Sequence, residues 1–261
     1  MGALIARAIL LFRHAERFGL EASIISTNPL YGEVPGEDWL DSYFFTPGHT
    51  TQGFPLRGVS LDAAMRFVVH PHLNLTDAAR LFHLHFRPRP VISVPLQEVL
   101  SKTAGGLFDL SIHYRGTDKV IESGTVGFES MVQRIDAVMA LSRSPRTVFL
   151  ATDDPQFEQT IRTRYPRCEF ASFKLGSVPE GKPRHFSSMS PRAKAIEAIV
   201  NIFLIASAKM CIRTSSYLSA VSRIANPTLR TFTVNRTLAG SRLFPEMELL
   251  AAEESLQFAP G

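Results

Sequence analysis

His113-Tyr114-Arg115-Gly116-Thr117-Asp118-Lys119 (HYRGTDK) follows an apolar alternation, Phe108, Leu110 and Ile112. In a strand, successive side chains point to opposite faces. Leu110 and Ile112 therefore share one face, and Ser111, His113 and Arg115 share the other. His113 and Arg115 are then expected roughly 7 Å apart on a polar face, where the strand runs into a loop. An imidazole and a guanidinium at that separation can grip neighbouring anionic oxygens, and the donor fork of Arg fits phosphate bidentately. Gly116 permits a close turn, and Asp118 and Lys119 add charges of both signs. An ordinary exposed charged loop is the plainer reading of the same residues, so the rest of the chain has to decide.

Downstream of this stretch, strands and helices alternate. A helix carries Phe128, Met131, Val132, Ile135 and Met139 on one face. A strand at Arg146 to Thr152 leads to a helix from Pro155 to Tyr165 and a strand at Glu169 to Phe173. The helix Ala193 to Ala206 places Ile196, Ile199, Val200, Phe203 and Leu204 at i, i+3, i+4, i+7 and i+8. A strand at Lys209 to Arg213, a short helix from Ser216 and a strand at Leu229 to Val234 follow. Such repetition makes a parallel sheet covered on both faces. These sheets bind ligands beyond the carboxyl ends of their strands, where His113, Arg115, Asp153 and Thr214 fall. Three strand ends thus offer polar groups: HYRGTDK, then Ala151-Thr152-Asp153-Asp154, then Arg213-Thr214-Ser215-Ser216 at a helix start, a ready anion site. Each also has a bland reading. Asp153 or Asp154 caps the helix that begins at Pro155, and Thr214 or Ser215 caps the next.

The first hundred residues are less regular. Leu4, Ala8, Leu11, Phe12 and Ala15 mark one face of a helix that stops at Gly19. Ala22 to Ser26 reads as a short buried strand. A sheet-based fold that begins with a helix lacks its first strand and glycine-rich turn. Gly2 reads as the remnant of that turn, in a chain that is either shortened or starts further upstream. Asn28 to Arg57, with Tyr31, Trp39, Tyr43, Phe44 and Phe45, is too long for a passive connector. It is either an ordered surface excursion or a loop whose aromatics pin it to the core. Leu61 to Val69 and Thr76 to Phe86 read as helices, the second capped by Asn74 or Thr76. Arg87-Pro88-Arg89-Pro90 breaks the pattern, and a further short helix precedes Gly105-Gly106. The domain boundary falls there, giving 1–103 and 104–261.

Composition sets the outer limits. The 261 residues are 45% hydrophobic and 20% charged, with a net charge of +4, as an ordinary globular protein has. No dense Lys/Arg run supports nucleic-acid binding, and an anionic small molecule fits better. Cys168 and Cys211 read as core residues of a reducing compartment. Gly2 to Phe12 is as apolar as a signal peptide, but Arg7 interrupts it and no small-residue cleavage site follows. No run reaches the length of a membrane span. The sequons at Asn74 and Asn235 bear only on a secreted chain, so a bacterial-type cytoplasm is expected. His70/His72 and His83/His85 have a spacing that could chelate a metal from a strand, but no third ligand is placed and the second pair falls in a helix.

HYRGTDKV, VFLATDDPQF with the nearby Tyr165-Pro166, and the apolar helix running into RTSSYLSAVSR resemble the alpha-1,6-fucosyltransferases. This group includes enzymes that fucosylate N-glycan cores and the rhizobial nodulation enzymes, within the fucosyltransferase superfamily. The similarity is best from about Leu107 to Arg223, and AERFGLEASII also looks like the first helix and second strand of that fold. The resemblance implies an α/β fold of two Rossmann-like domains (GT-B-like), the N-terminal one reduced and without its first strand. It implies an inverting transfer of fucose from GDP-fucose to a glycan or oligosaccharide hydroxyl, with no metal and no other cofactor. Arg115 would hold the pyrophosphate, and His113 and Asp153 would sit beside the nucleotide. Thr214, Ser215 and Ser216 would donate to the phosphates, and Arg184-His185 would lie near the nucleotide. The family reads the guanine edge with an acidic residue at the position matched by Asn201. An amide accepts only at its oxygen and presents a mismatched donor, which counts against guanine. The family's catalytic carboxylate matches Ser123, with Glu122 one residue earlier. Glu122 is therefore the expected general base, held near Lys119, with Asp118 as the alternative.

Overall fold

The computed structural model describes residues 1–20, 22–34, 36–46, 73–115, 127–140, 145–176, 188–235 and 244–257. The expected helix Leu61 to Val69 lies outside them. So do the site candidates Asp118, Lys119, Glu122, Arg184 and His185, and the His70/His72 pair.

Five parallel strands carry the fold: β3 (Phe108–Tyr114), β4 (Thr147–Thr152), β5 (Glu169–Ala171), β6 (Ala208–Arg213) and β7 (Arg230–Thr233), in the order β5-β4-β3-β6-β7. Two-residue strands β1 (Phe44–Phe45) and β2 (Arg87–Pro88) form a separate antiparallel pair. From β3 the chain winds outward through β4 to β5, then crosses back to lay β6 on the other side of β3. The strand order reverses between β3 and β6, where His113 pairs with Arg213. A ligand crevice belongs at such a switch point.

Both faces of the sheet are covered. Val148, Leu150, Leu110, Ile112 and Ile212 pack with Met131, Ile135 and Val138 of α5 (Phe128–Met139) and with Phe157 and Ile161 of α6 (Pro155–Arg164). On the other face Phe149 and Cys211 meet Ile199 and Val200 of α7 (Pro191–Ala206) and Val221 of α8 (Tyr217–Ala225). The alternation in β3 is therefore not apolar against exposed polar. Ser111 is fully buried, its hydroxyl donating to the carbonyls of Met210 (3.3 Å) and Ile205 (3.4 Å). A sheet covered on both sides leaves no polar face, and small polar residues enter it only with partners.

The N-terminal segments join the second of these layers. Ile5, Ile9 and Phe12 of α1 (Gly2–Arg17) share one hydrophobic cluster with Phe149, Ile199 and Val221. That cluster also takes Leu81 and Phe82 of α3 (Leu75–His85) and Ile92 of α4 (Pro90–Leu100), and so draws on both sides of Gly105-Gly106. Gly19, with φ +61°, ends α1 in the left-handed region that favours glycine. Asn74 caps α3 by accepting from the Asp77 N–H at 2.8 Å. The strand expected at Ala22 to Ser26 is absent. Ser26 instead donates its N–H to the Asp38 carboxylate (2.9 Å) and accepts from the Trp39 N–H (3.0 Å), so its backbone is spent on the start of α2 (Trp39–Tyr43). Trp39, Tyr43 and Phe44 are buried, so the aromatics of this loop pin it to the core, and Phe45 lies exposed under the Arg89 guanidinium. Helix α9 (Glu246–Gln257) has no counterpart in the sequence reading.

Among the described residues, one charged side chain is fully buried. Arg213 donates to Ser219 Oγ (2.9 Å), Thr233 Oγ1 (3.0 Å), the Ser216 carbonyl (3.1 Å) and both oxygens of Glu246. All five guanidinium N–H groups are thereby used. Cys211, in the same strand, is a free thiol pushed up to about 11 by burial.

Two substitutions test this packing. Glu246→Ala leaves the Arg213 charge buried without its counter-ion, which costs about 3 kcal/mol or more. Urea denaturation should show that loss, and a change below about 1 kcal/mol would refute the role. At Gly2 an added Cβ would lie 2.6 Å from the Tyr217 carbonyl carbon, where α1 and α8 start side by side. Gly2→Ala should lower stability by about 1–3 kcal/mol in the same assay, although alanine is the better helix former.

Candidate active site

A cavity of about 490 Å³ opens along the carboxyl edge of the sheet, within the range of small-molecule sites. Its walls come from four consecutive strand ends and the helices beside them. Phe173 and Lys174 follow β5, Ala151 to Asp153 end β4, His113 to Arg115 end β3, and Ser216 to Leu218 follow β6. Lys194, Glu197, Ala198 and Asn201 of α7 form one side, and Gly2, Ala3, Arg7 and Tyr31 close the other.

The β3 and β6 ends are fastened together. The Thr214 N–H donates to the His113 carbonyl at 2.9 Å, and the Arg115 N–H donates to Thr214 Oγ1 at 3.1 Å. The parallel ladder is thus carried one step past both strands, and Arg115 leaves the sheet at a fixed point on the cavity wall. Its positive charge is felt across the space: burial raises the Tyr31 phenol, and the field of Arg115 opposes that rise. His113 is 6% exposed, with one edge on the cavity, and is not the projecting group the alternation predicts.

The third strand end does different work from that expected. Thr214 and Ser215 are buried and do not line the cavity. The Thr214 hydroxyl is engaged with the β3 end, and the Ser215 N–H donates to Asn235 Oδ1 at 2.6 Å. Ser216 caps α8, accepting from the Leu218 N–H at 3.4 Å, and it is Ser216 and the first residues of α8 that face the space. The Thr214 hydroxyl and the Ser215 N–H are thus spent on the protein itself, and they hold the turn that presents Ser216 and Tyr217. Asn235, a sequon residue, is buried in this arrangement, and Asn74, the other, is a helix cap.

The second strand end resolves an ambiguity. Asp154 accepts from the N–H groups of Gln156 (2.9 Å) and Phe157 (3.0 Å) and is the cap of α6. Asp153 lies on the cavity wall beside Tyr114, whose phenol is raised by burial first and by the two neighbouring carboxylates next.

Two residues of α7 shape the remaining wall. Asn201 is 9% exposed, and its amide donates to the carbonyls of Glu197 (2.9 Å) and Phe173 (3.3 Å). Its oxygen has no hydrogen-bond partner. Glu197, one turn earlier, was not anticipated. It is 6% exposed, lines the cavity, and accepts from the Leu175 N–H at 2.7 Å. No local signal singled it out, because the first turns of the same helix carry Arg192 and Lys194 and one more charge there reads as a solvated face. Among the described residues no three His, Cys, Asp or Glu side chains group as metal ligands. His83 is exposed, and His85 stacks on Phe12 at 3.7 Å. No described helix is long and apolar enough to cross a membrane.

No family model matches the sequence. Among solved structures the chain is similar to NodZ alpha-1,6-fucosyltransferase soaked with GDP-fucose, with a TM-score of 0.62 and 16% identity over 87% of this chain and 89% of that one. It is similar to fucosyltransferase NodZ from Bradyrhizobium at TM-score 0.60 and 16% identity, over 85% and 88% of the two chains. The NodZ enzyme co-crystallised with GDP gives 0.59 and 17% over the same shares. The α/β fold of this chain is that of the NodZ-type alpha-1,6-fucosyltransferases.

Proposed function

We propose that the chain is an inverting glycosyltransferase that transfers fucose from GDP-fucose to a hydroxyl of a glycan or oligosaccharide. The observation that carries this reading is the meeting of Arg115 and the Ser216–Leu218 turn over one cavity at the switch point of the sheet. Solved structures of this fold include a fucosyltransferase soaked with GDP-fucose and one co-crystallised with GDP, which supports a nucleotide-sugar donor. In this reading residues 104–261 bind the donor and 1–103 contribute the acceptor side. The two free thiols accord with a cytoplasmic setting.

The chemistry follows from charge. As the bond between the sugar carbon and the phosphate oxygen breaks, negative charge grows on the leaving diphosphate. Arg115 and the N–H groups that open α8 are fixed before the reaction starts. They therefore stabilise the transition state more than the ground state. His113 and Asp153 line the same space beside the nucleotide. A carboxylate takes the proton of the acceptor hydroxyl as it attacks from the opposite face; in this reading Glu122 has that role, with Asp118 as the alternative and Lys119 as a further catalytic candidate of the same stretch. Glycan acceptors are met by the loops around the mouth, where specificity is built.

Asn201, where a carboxylate would suit guanine, favours a second reading: a transferase using another sugar nucleotide, or a nucleotide-sugar binder without turnover. Calorimetry with GDP-fucose alongside a transfer assay separates these, since binding without transfer supports the binder.

Arg115→Ala should lower transfer by at least about a hundredfold with an unchanged melting temperature, and Arg115→Lys should restore only part of it, a point charge replacing a fork. Retained turnover in the alanine variant refutes the reading. Thr214→Val keeps the shape but removes the acceptor of the Arg115 N–H. It should cost about 1–3 kcal/mol of stability and weaken GDP binding, measured by thermal melting and calorimetry; unchanged GDP affinity would show that the fastening does not position Arg115.

A further inference from the structure

Outside the cavity, among the N-terminal segments, one aromatic ring is presented to solvent in a fixed pose. Phe44 and Phe45 form β1, and the alternation of a strand sends Phe44 into the core and Phe45 outward. A single exposed phenylalanine is ordinary on a protein surface. This one is built in. The Arg89 guanidinium lies over the ring, its central carbon 4.4 Å from the ring centre. It is held there from two sides, Nε donating to the Phe44 carbonyl at 3.1 Å and Nη2 to Asp41 Oδ1 at 2.6 Å. The backbone beneath is fixed as well. The Arg89 N–H donates to the Tyr43 carbonyl at 2.9 Å, and the buried Trp39, Tyr43 and Phe44 anchor the loop. Phe45 is 46% exposed even with the guanidinium over it, so its other face and its rim meet solvent. Arg87, directly opposite Phe45 in the β1–β2 pair, shares its side of the strands.

The result is a flat apolar plate with hydrogen-bonding groups around its edge. The Asp41 carboxylate accepts, and the Arg87 and Arg89 guanidinium groups donate. One ring is far smaller than the roughly 800 Å² that each side of a stable protein interface buries. It matches the size of a pyranose. A pyranose with equatorial substituents has faces of axial C–H groups, which suit an aromatic plate. Its hydroxyls radiate in the plane of the ring, where a carboxylate and a guanidinium fork can meet neighbouring pairs of them.

The plate is also joined to the cavity. The Tyr43 phenol donates to the Tyr31 carbonyl at 3.1 Å, and Tyr31 lines the cavity. Two residues of chain and one tyrosine side chain therefore separate Phe45 from that wall, a reach of about 15 Å. An oligosaccharide spans such a distance and a single sugar does not.

We infer that Phe45, with Asp41, Arg87 and Arg89 at its rim, is a remote subsite that binds one sugar unit of the acceptor chain by its apolar face. This rests on the reading of the chain as a glycan transferase, and it adds to that reading a second point of attachment, away from the donor and from the reacting hydroxyl.

Calorimetry of the full chain, without donor, tests this with cellotetraose and N-acetylchitotetraose, two soluble chains of equatorially substituted pyranoses. GDP and UDP are titrated separately. At least one of the sugars should bind with a Kd of about 1 mM or tighter. Phe45→Ala should weaken that binding about tenfold or more, with unchanged melting temperature and unchanged nucleotide affinity, and Phe45→Tyr should keep it. Phe45→Leu, which keeps apolar bulk without a flat face, should lose it too, and it serves where the alanine variant does not fold. Binding of neither sugar up to about 10 mM, or equal binding by the wild-type, alanine and leucine chains, overturns the inference and leaves the donor site standing. Sugar binding that depends on Phe45 in a chain that binds neither GDP nor UDP overturns the transferase reading, and the role as an acceptor subsite with it.

Discussion

The fastening between the ends of β3 and β6 is the constraint on which the site depends. A parallel ladder normally ends with its strands, and the loops beyond are free to separate. Here the Thr214 N–H bonds the His113 carbonyl, and Thr214 Oγ1 receives the Arg115 N–H. The ends of β3 and β6 are therefore fixed to one another at a single point. Without it Arg115 would start from a loop of uncertain spacing, and a guanidinium on a long side chain would reach the cavity with little preorganisation.

Behind that point stands a buried ion pair. Arg213 bonds the Ser216 carbonyl and Ser219 on one side and Thr233 and Glu246 on the other. It thereby ties the turn that forms a cavity wall to α9, the last described helix. Removing two charges from water is expensive, and such a pair adds little net stability over a well-packed apolar substitute. What it supplies is direction: five donors in a planar fork accept one arrangement of partners. The turn from Thr214 to Tyr217 is held by this fork, by Asn235 and by the cap of α8, and it contributes to the site as a shaped backbone.

This explains which parts of the site were legible in the sequence. The strand–helix alternation after Phe108 is a strong periodic signal because the parallel sheet is buried on both faces and its helices each cover one, so every element from β3 to β7 lies close to its expected place. The Asp153-Asp154 pair could be read as one cap and one cavity residue, but only the backbone direction at Pro155 decides which is which. Thr214 and Ser215 were read as ligand donors because hydroxyls at a helix start look the same whether they face a ligand or fasten the protein to itself. Ala22 to Ser26 has the composition of a strand, yet Asp38 and Trp39 take its hydrogen bonds, a contact twelve residues away that no local pattern encodes. Glu197 was hidden for a similar reason: its partner, the Leu175 N–H, is 22 residues away.

The cavity joins a wall fixed by backbone bonds to a side made from the N-terminal segments, and the two are not built alike. The β3 and β6 ends are set by the sheet and by a fully buried guanidinium. The opposite side, with Gly2, Ala3, Arg7 and Tyr31, depends on close packing as well as on the hydrogen bonds of Tyr31 to Met1 and Tyr43: Gly2 sits so close to Tyr217 that no side chain fits between α1 and α8. A helix pressed directly on the backbone of its neighbour keeps its position only while the residue at the contact stays small. The geometry of the anion end therefore depends on a missing Cβ as much as on any charge, because that close approach sets how near the start of α1 comes to Arg115 across the space.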